Sequence, residues 1–369
     1  MRIGIVSKWF NRGQPVVGRH LRSALDELGH ETFVLARPRR ETGPRPGALD
    51  RDDRWDQPRV TEASAFEPPA DEYLHWAGAN AIEAAFFDNH YQFEEIAALR
   101  GSGVKTVARF VWEHFSANDA APARAAFDVI YSLTRAERER YREMGVDTVP
   151  VQWGCHPEMA AITPRREEGV VRLIFPGGFL GHRKPLAEVV DAFRRTSDER
   201  LRLLIKAQHD RKQLKPARKR ARRDPRIEIL VEDQSTADHL RTFASCDVCL
   251  TPSRWEGLGL PLYEATAFGM PIITNDDPPM NEIVEDGFNG LLVGSHPDGT
   301  TRSGLVARAP DVDDLARAIE AIREEELRDR LSAGAREARD RLAWSRTVED
   351  VGRLVESLDR VPAGTPGVR

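Results

Sequence analysis

Glu256 and Glu264 stand eight positions apart in the stretch Ser253-Arg254-Trp255-Glu256-Gly257-Leu258-Gly259-Leu260-Pro261-Leu262-Tyr263-Glu264. Asp247–Leu250 just before it reads as a short buried strand, a helical pattern begins at Leu262, and Pro271-Ile272-Ile273 reads as the next strand. A strand, a glycine-rich turn and a helix in that order gather backbone N–H groups and a helix N-terminus at one spot, which suits a phosphate. Glu256 on the loop and Glu264 on the first turns of the helix can then point into one crevice at the carboxyl ends of the strands. The plainer reading is a solvated pair of acids. The alternating strands and helices around the stretch favour the crevice.

A second group of the same kind lies upstream. Arg172–Phe175 is a strand, followed by Pro176-Gly177-Gly178-Phe179-Leu180-Gly181-His182-Arg183-Lys184 and a helix over Leu186–Phe193. The glycines make a tight turn and Pro185 suits a first helical position. A lysine there can neutralise a diphosphate, and an arginine can grip one bidentately, so Arg183 and Lys184 are candidate phosphate ligands. In the first half, three loops at strand ends carry polar groups: Asp88-Asn89-His90, Trp112-Glu113-His114 and Ser132 to Thr134. His114 directly follows the strand Val104–Val111 and should face the crevice.

The elements that hold these groups alternate. Arg2–Val6 is a strand, Ser7–Pro15 a loop containing Gly13, and Val16, Val17, Leu21, Leu25 and Leu28 mark one face of a helix ended by Gly29. Glu31–Leu35 is the next strand, which opens a parallel α/β layer. Gly13 and Gly18 lack the G-x-G-x-x-G spacing of a dinucleotide fingerprint. Pro38–Asp71 reads as a long loop with a short strand near Val60, after which come a strand over Ala81–Phe87, a helix over Phe93–Leu99, a strand over Phe127–Leu133 and a helix over Arg135–Met144. Pro150–Pro164 reads as a linker between two domains, residues 1–155 and 156–343. In the second, Leu201–Lys206, Ile227–Val231 and Gly290–Val293 are strands, and Ala237–Phe243, Val312–Ile322 and Glu324–Ala338 are helices. Trp344–Leu358 is a terminal helix, followed by a frayed tail from Pro362.

With 369 residues the chain suits two domains, and a net charge of −5 gives no reason to expect nucleic acid. No apolar run reaches the length of a membrane span, the N-terminus shows no signal-peptide pattern, and three cysteines point to a reducing cytoplasm. Cys246 and Cys249 have C-x-x-C spacing but enter a strand, as core residues do. Arg211–Arg223 is the one basic run. Its plainer reading is a solvated face, its sharper one a contact with a membrane surface, which would place the protein at the inner face of the membrane.

Glu256-Gly257-Leu258-Gly259-Leu260-Pro261-Leu262-Tyr263-Glu264-Ala265, with Phe268-Gly269-Met270-Pro271-Ile272-Ile273 behind it, resembles the E-x7-E signature of retaining glycosyltransferases of the family-4, glycosyl transferases group 1 type. The resemblance runs from about Val170 to Leu358 and takes in Gly177-Gly178 through Lys184, Asn281-Glu282-Ile283-Val284 and Gly287-Asn289-Gly290-Leu291. In the first domain it rests on Gly13, Leu28-Gly29-His30-Glu31 and His114. It implies the GT-B architecture, two facing Rossmann-like domains with a nucleotide-sugar crevice between them, and a terminal helix, residues 344–369 with its tail, that crosses back to the first domain. Residue by residue, the resemblance implies that Lys184 holds the diphosphate, Glu264 bonds the ribose and Glu256 faces the donor sugar. Gly257, Leu258 and Gly259 would offer N–H groups, Gly178 would shape the phosphate turn, and Gly13 and His114 would lie beside the transferred sugar. The family often carries arginine where this chain has Phe179, a gap that Arg183 can fill.

The expected activity is therefore transfer of a sugar from a nucleotide-sugar donor, a UDP- or GDP-sugar, to a sugar, lipid or small-molecule acceptor. No Asp-x-Asp stands at a strand end in a plausible site, so neither a metal nor another cofactor is expected. The resemblance suggests same-face attack with retention, Glu256 positioning the sugar, in place of the covalent carboxylate route of glycosidases. The second reading is a non-catalytic GT-B-fold protein that binds a nucleotide sugar or a partner. The joint presence of Lys184, Glu256 and Glu264 opposes it, and Phe179 keeps it open.

Overall fold

A computed structural model describes residues 1–40, 49, 50, 52, 54–209 and 215–360. The chain forms two compact units, Met1–Trp153 with Ser345–Arg369, and Gly154–Trp344.

In the first unit the elements run β1 (Arg2–Lys8), α1 (Gly13–Glu27), β2 (Glu31–Arg37), β3 (Val60–Glu62), α2 (Ala70–Ala79), β4 (Ala84–Asp88), α3 (Phe93–Gly101), β5 (Lys105–Arg109), α4 (Ala117–Ala126), β6 (Val129–Ser132), α5 (Arg135–Glu143) and β7 (Val149–Pro150). The strands form one sheet in the order β3-β2-β1-β4-β5-β6-β7, and every pairing is parallel. Helices on both faces make the strands apolar throughout, as Ala84–Phe87 shows: all four are buried. Val17, Leu21 and Leu25 are the buried stripe of α1, while Val16 and Leu28 lie at its margin.

In the second unit come β8 (Val171–Phe179), α6 (Leu186–Phe193), β9 (Leu201–His209), α7 (Lys215–Ala221), β10 (Ile227–Val231), α8 (Thr236–Ala244), β11 (Val248–Leu250), α9 (Leu260–Ala267), β12 (Ile272–Asn275), α10 (Met280–Ile283) and β13 (Gly290–Val293). A hairpin of β14 (Ser295–Thr300) and β15 (Val306–Pro310), then α11 (Val312–Ala321) and α12 (Glu325–Arg341), complete it. The terminal α13 (Trp344–Leu358) belongs from Ser345 onward to the first unit, where Asp350 accepts the N–H of Gln152 at 2.7 Å. The second sheet is also all parallel, in the order β10-β9-β8-β11-β12-β13.

Two apolar layers sandwich the second sheet. Leu173, Phe175, Leu203 and Ile205 pack with Val189, Val190 and Phe193 of α6 and with Leu315 and Ile319 of α11. Ile174, Leu204, Cys249 and Ile272 face the other way, onto Leu240 and Phe243 of α8 and Leu262 and Ala265 of α9. This is the period of two of a strand buried on both faces. Each fully buried side chain of this size contributes about 1.5–3 kcal/mol. The layers fix where each strand ends, and so where the loops between strand and helix stand.

Several expectations are corrected. The stretch expected to be loop up to Asp71 gives way to α2 at Ala70, with Tyr73, Trp76 and Ala77 buried. The strand expected from Ala81 starts at Ala84 because Ala81 turns the chain with φ 48°. Helix α4, the hairpin β14–β15 and β7, which occupies the start of the expected linker, are additions. The part of the long loop at 41–48, 51 and 53, residues 211–214 of the basic run and the tail from 361 lie outside the described residues.

Candidate active site

Both sheets change direction of winding at one place, between β1 and β4 in the first unit and between β8 and β11 in the second. Helices diverge to opposite faces there and leave a crevice at the carboxyl ends of the two strands. In the second unit this is where the phosphate-turn residues after β8 meet the Glu256 loop after β11.

The expected strand end at Phe175 is corrected: β8 runs on to Phe179, and its irregular last residues are shaped by the two glycines. Gly178 has φ 52°, and a side chain at Gly177 would strike Leu180 Cδ2 at 2.4 Å. The chain then turns back so that Lys184, whose N–H donates to Gly181 O at 3.0 Å, enters α6 through Pro185. The backbone N–H of Arg254 donates to Arg183 O at 2.9 Å, and its side chain donates to His182 O at 2.9 Å. The Arg254 guanidinium also pairs with Glu188 of α6 and Asp298 of β14. One arginine thus fastens the two strand-end loops to each other.

Inside this fastening Lys184 Nζ donates to Glu256 Oε1 at 2.6 Å and to Ser253 Oγ at 2.8 Å. Ser253 Oγ in turn donates to the same Glu256 oxygen at 2.7 Å. Lys184 is 3% and Glu256 5% exposed. The Arg183 guanidinium, on the outer side, is 3.6 Å from Glu256 Oε2. Burial works against the Glu256 carboxylate, but Lys184, Arg183 and the bonds from Lys184 and Ser253 outweigh it and bring the carboxyl down to about 2. Burial pushes the Lys184 ammonium below its ordinary value, against the pull of Glu256. Glu256 is therefore ionised, and its lysine is a cation held at some cost for want of water.

Gly259 is the N-cap of α9, with φ 79°. Among the described residues the N–H groups of Gly257, Leu258 and Gly259 donate to no acceptor of the chain, so three donors and a helix start stand open beside Lys184 and Glu256. Gly259→Ala is expected to destabilise the chain by about 1–2 kcal/mol through the left-handed backbone alone. Its added Cβ would also lie 2.8 Å from Leu262 Cδ1. Urea denaturation measures the loss, and weaker nucleotide binding should accompany it.

Glu264 is not part of the Lys184 cluster. It sits on α9 with Oε1 3.4 Å from His239 Nε2 of α8. Buried Lys206 of β9, whose ammonium burial pushes down, feels Glu264 as its strongest opposing charge. Phe179 packs edge-on against His209 at 6.0 Å and brings no charge to the turn. Cys246 and Cys249 are buried free thiols, and burial pushes Cys246 up to about 12, far from a reactive thiolate.

Gly13 and His114 belong to the first unit. Gly13 opens α1, next to Gln14, which accepts from Lys8 Nζ at 2.8 Å. His114 is exposed on the loop after β5, with Nδ1 3.3 Å from Asn89 Nδ2. His90 of the neighbouring loop is instead a core residue, its Nε2 2.9 Å from the Tyr73 hydroxyl. Sequence reasoning passed over Ser253, Arg254, His239 and Lys206. Ser253, three residues before Glu256 at a strand end, was the one with a local signal.

Residues 170–338 match the family model described as glycosyl transferases group 1. The chain is 26% identical over 230 residues, 60% of its length, to the phosphatidyl-myo-inositol mannosyltransferase of Mycobacterium leprae, and 31% identical over 133 residues, 36% of its length, to an uncharacterized glycosyltransferase of Methanocaldococcus jannaschii. These matches span 57% and 34% of those relatives' own lengths, less than two thirds in each case. Among solved structures, the sucrose-phosphate synthase of Thermosynechococcus elongatus superposes with a TM-score of 0.72 at 15% identity, and Anabaena HepE, in complex with UDP and glucose, with 0.71 at 13%. Each match covers 98% of this chain and 100% of the other. The protein has the GT-B fold, and the stretch of its second unit that builds the crevice with Lys184, Ser253 and Glu256 is similar to the glycosyl transferases group 1 model.

Proposed function

We propose that the protein is a glycosyltransferase that moves a sugar from a UDP- or GDP-sugar to an acceptor, with retention and without a resident metal. The observation that carries the reading is the buried Lys184–Glu256–Ser253 cluster beside three open N–H groups, in the unit that matches the family. Departure of a nucleoside diphosphate from an anomeric carbon builds negative charge on the phosphates, and preorganised donors and cations aimed there lower the barrier. Lys184, Arg183 and the N–H groups of Gly257–Gly259 supply them from the chain itself. Arg183, 38% exposed in its side chain, supplies a cation that Phe179 does not.

Glu256, held ionised by two cations, is a poor nucleophile and a good acceptor for sugar hydroxyls. This supports the route in which the acceptor attacks on the face of the leaving group and a phosphate oxygen takes its proton. Glu264 accepts from the ribose hydroxyls, and Gly13 and His114 serve the transferred sugar. HepE, whose complex holds UDP and glucose, supports a uridine donor. The acceptor classes are a sugar, a lipid or a small molecule; a lipid would bring the basic run, described from Lys215 to Arg223, to a membrane surface on the cytoplasmic side.

The test is release of nucleoside diphosphate from a panel of UDP-, GDP-, ADP- and dTDP-sugars, with and without EDTA, by the wild type and Glu264→Ala. One sugar is expected to be hydrolysed slowly with EDTA present, and the mutant to lose that activity. Release from none, with no nucleotide-induced thermal shift, would overturn the reading in favour of a non-catalytic protein.

A further inference from the structure

The first unit's switch point carries a group of cations that the transfer chemistry above does not use. Lys8 ends β1 and Arg37 ends β2, and the two are register partners in the parallel pair. Like charges set side by side on neighbouring strands destabilise a sheet. Here they are also drawn inward, with Arg37 only 2% exposed. Arg37 Cζ lies 4.2 Å from the centroid of the Phe66 ring, Arg40 Cζ 4.5 Å and Lys8 Nζ 5.6 Å, so three cations gather about one aromatic side chain.

The carboxylates nearby leave the two inner cations, Lys8 and Arg37, without an ion pair. Asp88, at the end of β4, is 3.3 Å from Arg109, and exposed Glu67 is 3.5 Å from Arg40. Among the described residues neither Lys8 nor Arg37 has a carboxylate within ion-pair distance. Arg37 Nε donates to Phe66 O at 2.7 Å, but its buried Nη1 has no hydrogen-bond partner. Burial and the charges of Arg37 and Arg40 push the Lys8 ammonium down to about 8, with Asp88 opposing. Burial pushes Arg37 down to about 10. A buried guanidinium nitrogen left unbonded, next to an ammonium with one neutral acceptor, is a costly arrangement unless an anion completes it.

We propose that Lys8, Arg37 and Arg40 form a binding site for a phosphate monoester on the acceptor. Arg37 offers its unbonded Nη1 to a phosphate oxygen, Lys8 adds a point charge, and Arg40, shared with Glu67, stands on the exposed side. A phosphate near its dianionic form balances two inward cations, which a single carboxylate does not. The site adjoins Gly13 and Gln14 at the carboxyl end of β1, the end at which such folds take their ligands. The proposal deepens the glycosyltransferase reading and rests on it for the word acceptor.

The experiment is calorimetric titration of the full chain at fixed ionic strength with glucose 6-phosphate and glycerol 3-phosphate, their dephosphorylated parents, glucuronate and, separately, UDP and GDP. The phosphate esters are expected to bind at least tenfold tighter than their parents and than glucuronate. Arg37→Gln and Lys8→Met should each weaken them tenfold or more and leave nucleotide binding unchanged. Arg40→Ala, at an exposed position, should weaken them severalfold. Equal binding of phosphorylated and parent compounds, equal binding of glucuronate, or variants that bind as the wild type does would overturn the proposal. Phosphate-ester binding without nucleotide binding would instead fail the donor reading and leave the cation site standing.

Discussion

Lys184→Met is expected to lower kcat for sugar transfer by about 10²–10³-fold, the loss typical of removing one preorganised donor from a developing anion. The lysine has no substitute of equal placement: Arg183 is 3.6 Å from the far oxygen of Glu256 and stands on the outer side, while Lys184 is buried at 2.6 Å from the near one. The same change takes from Glu256 its nearest cation, and removing one partner of a buried pair costs about 3–5 kcal/mol. Activity and stability would therefore fall together and confuse the interpretation. Lys184→Met/Glu256→Gln separates them, because a neutral glutamine can still accept from Ser253 Oγ. The double variant should regain most of the stability and none of the activity. A kcat within tenfold of wild type in either variant, with the donor saturating, would remove Lys184 from the leaving-group site.

The alternation of strands and helices was legible because both sheets are covered on both faces, so their strands are short apolar runs that stand out in a charged sequence. The hidden elements are those without such contrast. In α4, Ala-rich and interrupted by Pro122, there is no apolar stripe, and its one signal was the Ser116/Asp119 capping box. Helix α2 itself follows directly on Pro68-Pro69, and its polar first turn, Asp71-Glu72, merges with the loop before it.

The site divides in the same way. Glu256, Gly257, Gly259 and Glu264 lie on one strand–turn–helix and could be read as a unit. The bonds from Lys184 to Ser253 and Glu256 span 69 and 72 residues, and they exist because β8 lies beside β11 with β9 and β10 displaced to the other side. No local pattern encodes that neighbour relation. It also decides that Arg254 fastens loops, where its place next to Trp255 suggested nothing. Lys8 and Arg37, 29 positions apart, become partners only through the register of β1 and β2.

Arg109→Met is expected to destabilise the first unit by about 3–5 kcal/mol, the cost of leaving buried carboxylates without their cation. Arg109, 1% exposed, reaches Asp88 Oδ1 at 3.3 Å across the β4–β5 pair and Glu137 Oε1 of α5 at 3.2 Å. Burial opposes its charge, but the two acids outweigh it and raise the guanidinium above its ordinary value. One cation cannot serve two buried carboxylates equally. Burial, only partly offset by Arg109 and the Leu133 N–H, raises the Glu137 carboxyl to about 7, and burial raises Asp88 as well. In the unfolded chain Glu137 releases its proton near 4.5. Between there and about 7 the folded state therefore holds the extra proton, so each step up in pH through this window favours unfolding, and the contribution is fully lost above it. Glu137→Gln leaves Arg109 and Asp88 as a one-to-one pair and removes the titration. Urea denaturation of wild type and this variant from pH 5 to 8 should show the wild type losing stability relative to Glu137→Gln as pH rises. Parallel curves would show that the proton is not held there. A loss under about 1 kcal/mol for Arg109→Met, within the range of surface ion pairs, would show that water reaches the cluster.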